Sequence, residues 1–234
     1  MRFPSTRRSA VVAAGSLDAG ERRRGWEALV GAYWKPVYKF VRIKWEYSAE
    51  DAADLTQGFF ARAMEKDFFR AYDAARGSFR TFLRTCLEGF VANERKAGAR
   101  LKRGGDVQML SLDFVSAEGE LFEHPPAAGS SPEELFQREW VRSLFAMALE
   151  DLKAECEARE KQIYFRLFER YDVDAGSSYA ELADEFQLPV TSVTNYLAWA
   201  RREFRRLLLG RLREITGGDE EYRADAKALL GMPL

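Results

Sequence analysis

The stretch from Ser178 to Leu209 leaves this chain few folds to choose from. Ser178 followed three residues later by Glu181 has the form of a capping box. In that motif a hydroxyl takes an orphan helix amide and the carboxylate answers from the first turn. Tyr179, Leu182, Ala183 and Phe186 then recur at helical spacing, and Gln187-Leu188-Pro189 breaks the run. Val190, Val193, Leu197, Ala200, Phe204 and Leu207 restart it along one face. The opposite face holds Thr191, Ser192, Thr194, Asn195, Trp199, Arg201, Arg202, Arg205 and Arg206. A short helix, a tight turn and a longer helix with a polar, basic outer face form the layout of a helix-turn-helix, whose second helix can enter a DNA major groove. Paired amphipathic helices with arginines on one side also occur in proteins that never meet DNA, so this segment alone leaves both readings open.

The rest of the chain repeats the helical period and offers no strand alternation. Trp26, Leu29, Val30, Tyr33, Val37, Phe40 and Val41 give a helix over 21–42, which Pro36 is expected to kink or divide. Ser48 can cap the next helix, whose inner stripe is Ala52, Leu55, Phe59, Ala63 and Met64. After a loop over 73–78, Phe79, Phe82, Leu83, Cys86, Leu87, Phe90 and Val91 form a third stripe, ending in the basic run Arg95, Lys96, Arg100, Lys102 and Arg103. Gly104-Gly105 stops that helix. Residues 104–131, with Pro125-Pro126 and Gly129, read as a linker. Its Met109, Leu110, Leu112, Phe114, Leu121 and Phe122 suggest that it lies against something. Ser131-Pro132-Glu133-Glu134 starts another helix, with the proline at the first helical position. That helix is expected to run to about Leu152, with a further helix through Ile163, Leu167 and Phe168. The fold class is therefore all-α: a helical domain over 1–103, a linker over 104–131, a helix-turn-helix domain over 132–210, and an extension over 211–234 with a short helix from Glu220 to Leu230.

Composition narrows the function. Hydrophobic residues make up 47% and charged residues 31% of the 234, which is a globular balance. No apolar run is long enough to span a bilayer, and residues 1–15 lack a secretory core, so the expected location is the cytoplasm, with no membrane partner. Cys86 and Cys156 fall on apolar helical positions and read as buried thiols. His124 stands alone, short of the three or four ligands that zinc requires, so no metal or other cofactor is expected. No phosphate-binding loop or nucleophile constellation marks an enzyme. A net charge of −1 excludes indiscriminate coating of nucleic acid, while separated acidic and basic stretches suit a protein that meets both DNA and a protein partner.

Three blocks, in order, carry a family resemblance. Asp51-Ala-Ala-Asp54-Leu55-Thr56-Gln57-Gly58-Phe59-Phe60 is similar to the polymerase-docking signature of RNA polymerase sigma factors. Phe79-Arg-Thr-Phe82-Leu83 through Asn93-Glu94-Arg95-Lys96 resembles their segment that melts and reads the −10 element, and Tyr179 to Arg206 their −35 reader. With no separate middle domain, the arrangement resembles the extracytoplasmic-function (ECF) class. Gly58 stands where many members carry an acid, and Gln187 and Pro189 replace the usual Gly and Ser of the turn.

The resemblance implies a sigma factor that joins core RNA polymerase to promoter DNA and performs no chemistry itself. Asp51, Asp54, Leu55, Gln57 and Phe60 would dock on polymerase. Tyr72, Arg80, Arg84, Asn93, Arg95, Lys96, Arg100 and Lys102 would serve the −10 element, with the loop over 70–78 holding a flipped base or else packing Tyr72 on its own domain. Thr191, Ser192, Thr194 and Asn195 would meet −35 bases, and Arg201, Arg202 and Arg205 phosphates. Trp199 could lie on a sugar or on the domain surface. In the linker, Asp113, Glu118, Glu120 and Glu123 could mimic RNA, or the segment could be a plain tether. An anti-sigma factor is a possible partner, as is a kinase acting on Thr56, where a phosphate would add charge to the docking helix. The extension over 211–234 could fold over one domain and modulate DNA access. The competing reading is a free-standing helix-turn-helix regulator that binds DNA without polymerase, which leaves the Asp54–Gln57 block unexplained.

Overall fold

Helix start signals in the sequence decide much of what a computed structural model of the protein shows. The structure describes residues 9–97, 112–127, 129–174 and 176–231, and among them every regular element is helical. They form two compact units, one drawn from Met1–Ser143 and Leu212–Leu234, the other from Leu144–Arg211.

The first unit is built around α2 (Ala19–Trp45), which Asp18 caps by accepting the Glu21 amide at 2.6 Å. α1 (Ala10–Ala13) crosses it at Gly25, where a Cβ would lie 2.5 Å from the Ala14 nitrogen; only glycine permits that approach. Pro36 does not divide α2. The neighbours Tyr33, Val37, Phe40 and Val41 are fully buried, and burial of large apolar side chains, worth about 1.5–3 kcal/mol each, outweighs the roughly 3 kcal/mol penalty of an interior proline. α3 (Ala49–Glu65) starts at Ser48, whose Oγ accepts the Asp51 amide at 3.1 Å. α4 (Phe79–Ala97) buries Phe79, Leu83, Leu87, Phe90 and Val91, while Phe82 and Cys86 stay half-buried.

The expected linker contains a helix, α5 (Phe114–Glu123), capped by Asp113. Phe114 packs on Trp34 and Tyr38 of α2. Glu118 takes Arg42 Nη2 at 2.5 Å and the Tyr38 hydroxyl at 2.6 Å. Glu120 bridges Lys35 at 2.5 Å and Lys39 at 2.9 Å. The acids that could have mimicked RNA are thus engaged within the unit, or capping in the case of Asp113, and only Glu123 points to solvent unpaired among the described residues.

α6 (Pro132–Ala158) opens with reciprocal Ser131–Glu134 bonds and runs beyond Leu152. Its first turns belong to the first unit, contrary to a domain beginning at 132. Phe136 packs edge-on against Phe40, and Glu139, 2% exposed, receives Lys39 at 2.6 Å. The chain after Leu212 also joins this unit through α10 (Asp219–Leu230), held by contacts described below.

The second unit holds the rest of α6, α7 (Gln162–Phe168) with a π turn over Glu169–Val173, α8 (Tyr179–Glu185), and α9 (Val190–Ile215) up to Arg211. Leu152, Cys156, Leu167, Leu182, Val193, Leu197 and Ala200 form its core, with Phe204 against Phe145 and Phe168. Arg211 grips Asp151 through Nε at 2.6 Å and Nη2 at 2.7 Å, fixing α9 to α6.

Candidate functional site

The helix-turn-helix forms as its capping signal dictates. Ser178 Oγ accepts the Glu181 amide at 3.2 Å, and Glu181 Oε2 accepts the Ser178 amide at 2.6 Å. The Ser178 amide, together with the Ser178 hydroxyl, holds the Glu181 carboxyl below its ordinary pKa. The turn between α8 and α9 passes through Gln187 at φ +51°, the left-handed conformation that glycine adopts without strain. Pro189 then sets the first turn of α9, its carbonyl accepting the Ser192 amide at 2.9 Å.

One face of α9 is open to solvent along its length. Thr191, Thr194, Asn195, Ala198 and Arg202 are all exposed, recurring every three or four residues, while Ser192 is half-buried. Arg202 makes no ion pair among the described residues. Ala198 was not among the expected contacts, yet it lies in the middle of this stripe. Val190, assigned from periodicity to the inner face, is 48% exposed at the helix start.

Two residues expected at the DNA surface have partners of their own. Arg201 donates from Nε to both oxygens of Asp172 at 3.0 Å and from Nη1 to the Tyr179 hydroxyl at 3.0 Å, and its guanidinium lies over the Tyr171 ring at 5.0 Å. It fastens the π turn to α9. Trp199 is half-buried and packs edge-on against Tyr164, with Lys161 Nζ 4.1 Å from its ring centre. Arg206 pairs with Glu203 at 2.7 Å, and Arg205 is half-buried.

The residues gathered on α4 and the preceding loop fall into two groups. Asn93, Arg95 and Lys96 are exposed near the end of α4, with Arg84 half-buried nearer its middle, and no ion pair engages these basic side chains among the described residues. Arg100 and Lys102 lie outside the described residues. Tyr72 and Arg80 are instead covered. The Tyr72 ring meets Phe79 and Phe82, and its hydroxyl donates to Gly77 O at 3.1 Å and to Glu221 at 3.3 Å. Burial, reinforced by Glu221, pushes the Tyr72 phenol up to about 12. Arg80 forms a two-pronged pair with Asp225, at 2.5 and 2.8 Å, and stacks 4.0 Å above Trp140. Neither acid was foreseen as a partner.

On α3, Asp51 is exposed and accepts the Ser48 hydroxyl at 2.7 Å, while Asp54 and Gln57 are half-exposed. Leu55 and Phe60, expected on the same docking face, are 5% and 3% exposed; they belong to the core, leaving Asp51, Asp54 and Gln57 to present the surface. Thr56 is fully buried, and its hydroxyl donates to Ala52 O at 2.7 Å, so a kinase would meet it only after that turn of α3 had opened.

What the arrangement can do chemically is recognition. It places hydroxyl, amide and guanidinium groups on the exposed side of α9 in one unit, and a basic end of α4 and the acidic residues of α3 in the other. No helix among the described residues is long and apolar enough to cross a membrane. A family model described as ECF sigma factor matches residues 37–209, spanning α3, α4 and the helix-turn-helix. Comparisons with curated proteins and with solved structures gave no match.

Proposed function

The chain belongs to the ECF sigma factor family, and from that premise we propose that it binds core RNA polymerase and directs it to promoters by reading a −35 and a −10 element. Asp51, Asp54 and Gln57 form the surface offered to polymerase. The loop over 70–78 with Tyr72, followed by Arg80, Arg84, Asn93, Arg95 and Lys96 along α4, serves the melted −10 strand, where cationic and stacking contacts hold unpaired bases. Thr191, Ser192, Thr194 and Asn195 meet −35 base edges, and Arg202 and Arg205 the phosphates. The observation that carries this reading is the open stripe on α9, which begins directly after a capped helix and a tight turn and carries Asn195, able to pair bidentately with adenine.

The test mixes the purified chain with core polymerase, follows co-elution, and maps the transcripts that the complex starts. Asp51→Lys/Asp54→Lys is expected to abolish co-elution. Asn195→Ala is expected to keep it while losing about 1–3 kcal/mol of discrimination at one −35 base pair. Tight operator binding without polymerase, unaffected by the double aspartate change, would instead identify a free-standing regulator.

A further inference from the structure

The covered part of the −10 surface is closed by residues outside the matched span, which ends at 209. Gly217 rests on Tyr72 so closely that a Cβ there would lie 2.1 Å from the ring's Cε1. Glu221 Oε1 accepts the Phe79 amide at 3.0 Å at the start of α4, and its Oε2 accepts the Gly217 amide at 2.8 Å as well as the Tyr72 hydroxyl. Asp225 takes the Arg80 fork, with side-chain exposures of 10% and 13% for the pair. A helix-start amide, a phenol and an arginine fork are donors that a phosphodiester strand would also satisfy. Here two carboxylates occupy all three.

α10 is held by these polar contacts, by Arg213, which pairs with Asp219 at 2.7 Å and lies over the Tyr222 ring, and by a modest apolar face. Ala226 is its one fully buried apolar residue, Tyr222, Leu229 and Leu230 are half-buried, and Glu220, Arg223, Ala224, Lys227 and Ala228 face solvent. An element with so few fully buried apolar residues opens more readily than the interior helices of its unit. The Gly217-Gly218 pair ahead of it supplies a pivot.

We propose that the segment from Gly217 to Leu230 is a built-in competitor for the melted promoter strand: Glu221 and Asp225 hold the Phe79 amide, Tyr72 and Arg80 in place of DNA phosphates, and α10 lifts away before the strand is captured. The proposal rests on the reading of Tyr72 and Arg80 as −10 contacts, and its test separates the two ideas.

A Cβ on Gly218 would stand 3.6 Å from the Ala74 Cβ, within the span of about 3.5–4.5 Å that a disulfide bridges. Ala74→Cys/Gly218→Cys, made in the full chain with Cys86→Ala, therefore gives a reversible lock. The oxidised chain is expected to co-elute with core polymerase as the wild type does. Failure to do so would move the effect to docking and overturn the proposal. On that complex, promoter opening is read by permanganate reactivity of thymines around a mapped start site. Oxidation is expected to lower opening about tenfold or more, because the competent fraction falls toward zero, and dithiothreitol to restore it. Glu221→Gln/Asp225→Asn is expected to raise opening above wild type. Equal opening by the oxidised and reduced chains, with Tyr72→Ala and Arg80→Ala both impaired, overturns the competitor and leaves the −10 reading standing. Unimpaired opening by Tyr72→Ala and Arg80→Ala overturns both.

Discussion

Lys39→Met is the single change with the clearest expected cost to the first unit. The Lys39 ammonium is 1% exposed and sits between Glu139 at 2.6 Å and Glu120 at 2.9 Å, joining α2, α5 and α6. Methionine keeps the apolar stem and removes the charge. Glu120 retains Lys35, and Glu139 retains Arg142 at 2.8 Å. Removing one partner of a buried pair costs about 3–5 kcal/mol, and the surviving arginine puts this case near the lower end, about 3 kcal/mol. At about 2–4 °C per kcal/mol for a domain of this size, the first unit's melting transition should fall by about 6–12 °C. Calorimetry combined with tryptophan fluorescence reads it, since Trp26, Trp34, Trp45 and Trp140 report on this unit and Trp199 on the other. Adding Glu139→Leu removes the stranded carboxylate, and well-packed apolar replacements of buried pairs are neutral or stabilising, so the double variant should recover most of the loss. A single-variant loss below about 1 kcal/mol, or a double variant no better than the single, would refute this account of the buried pair.

Three further outcomes can be measured directly. Gly25→Ala places a methyl 2.5 Å from the Ala14 nitrogen and 2.9 Å from the Ala10 carbonyl, so α1 must shift. Overpacking of this kind costs about 1–3 kcal/mol in urea unfolding, and an unchanged midpoint would contradict the close approach. Gln187→Gly relieves the left-handed turn at φ +51° and should stabilise the second unit by roughly 0.5 kcal/mol, the left-handed penalty less the added chain entropy; a lowered melting temperature would count against it. The Arg42 hydrogen bonds, ahead of that from Tyr38, hold the Glu118 carboxyl below its ordinary pKa. The unfolded chain therefore binds that proton more tightly than the folded one. This stabilisation is complete above the ordinary carboxylate range and is lost as pH falls through the lowered value. Arg42→Gln should flatten the acid limb of the stability–pH curve, and superimposable slopes would show the pair to be irrelevant.

Local chemistry made the helix starts legible. Ser48, Ser131 and Ser178 cap where a hydroxyl followed three residues later by an acid said they would. The turn before α9 and the inner stripe of that helix from Val193 onward followed from the same short-range spacing, whereas Val190 lies exposed. α5 did carry a signal, Asp113 before Phe114, Ala117 and Leu121, but Gly119 and the following Pro125-Pro126 masked it. Partners far apart along the chain leave no local trace. Asp225 lies 145 residues from Arg80, Glu139 100 residues from Lys39, and Asp172 29 residues from Arg201. For that reason short-range spacing identified the helices that carry the candidate side chains without revealing which of those side chains were already engaged. Leu55 and Phe60 were misassigned for a related reason: a motif names residues that matter to a surface, and some matter by packing beneath it.

Arg201 has a consequence for how the second unit should respond to salt. Each phosphate neutralised on duplex DNA releases condensed counterions and steepens the fall of log K with log salt by about 0.9. An arginine whose charge is already met by Asp172 releases none. On the proposed −35 reading, a helix-turn-helix that keeps one guanidinium for its own architecture owes more of its grip to hydrogen bonds and surface fit, and should hold its site over a wider range of ionic strength.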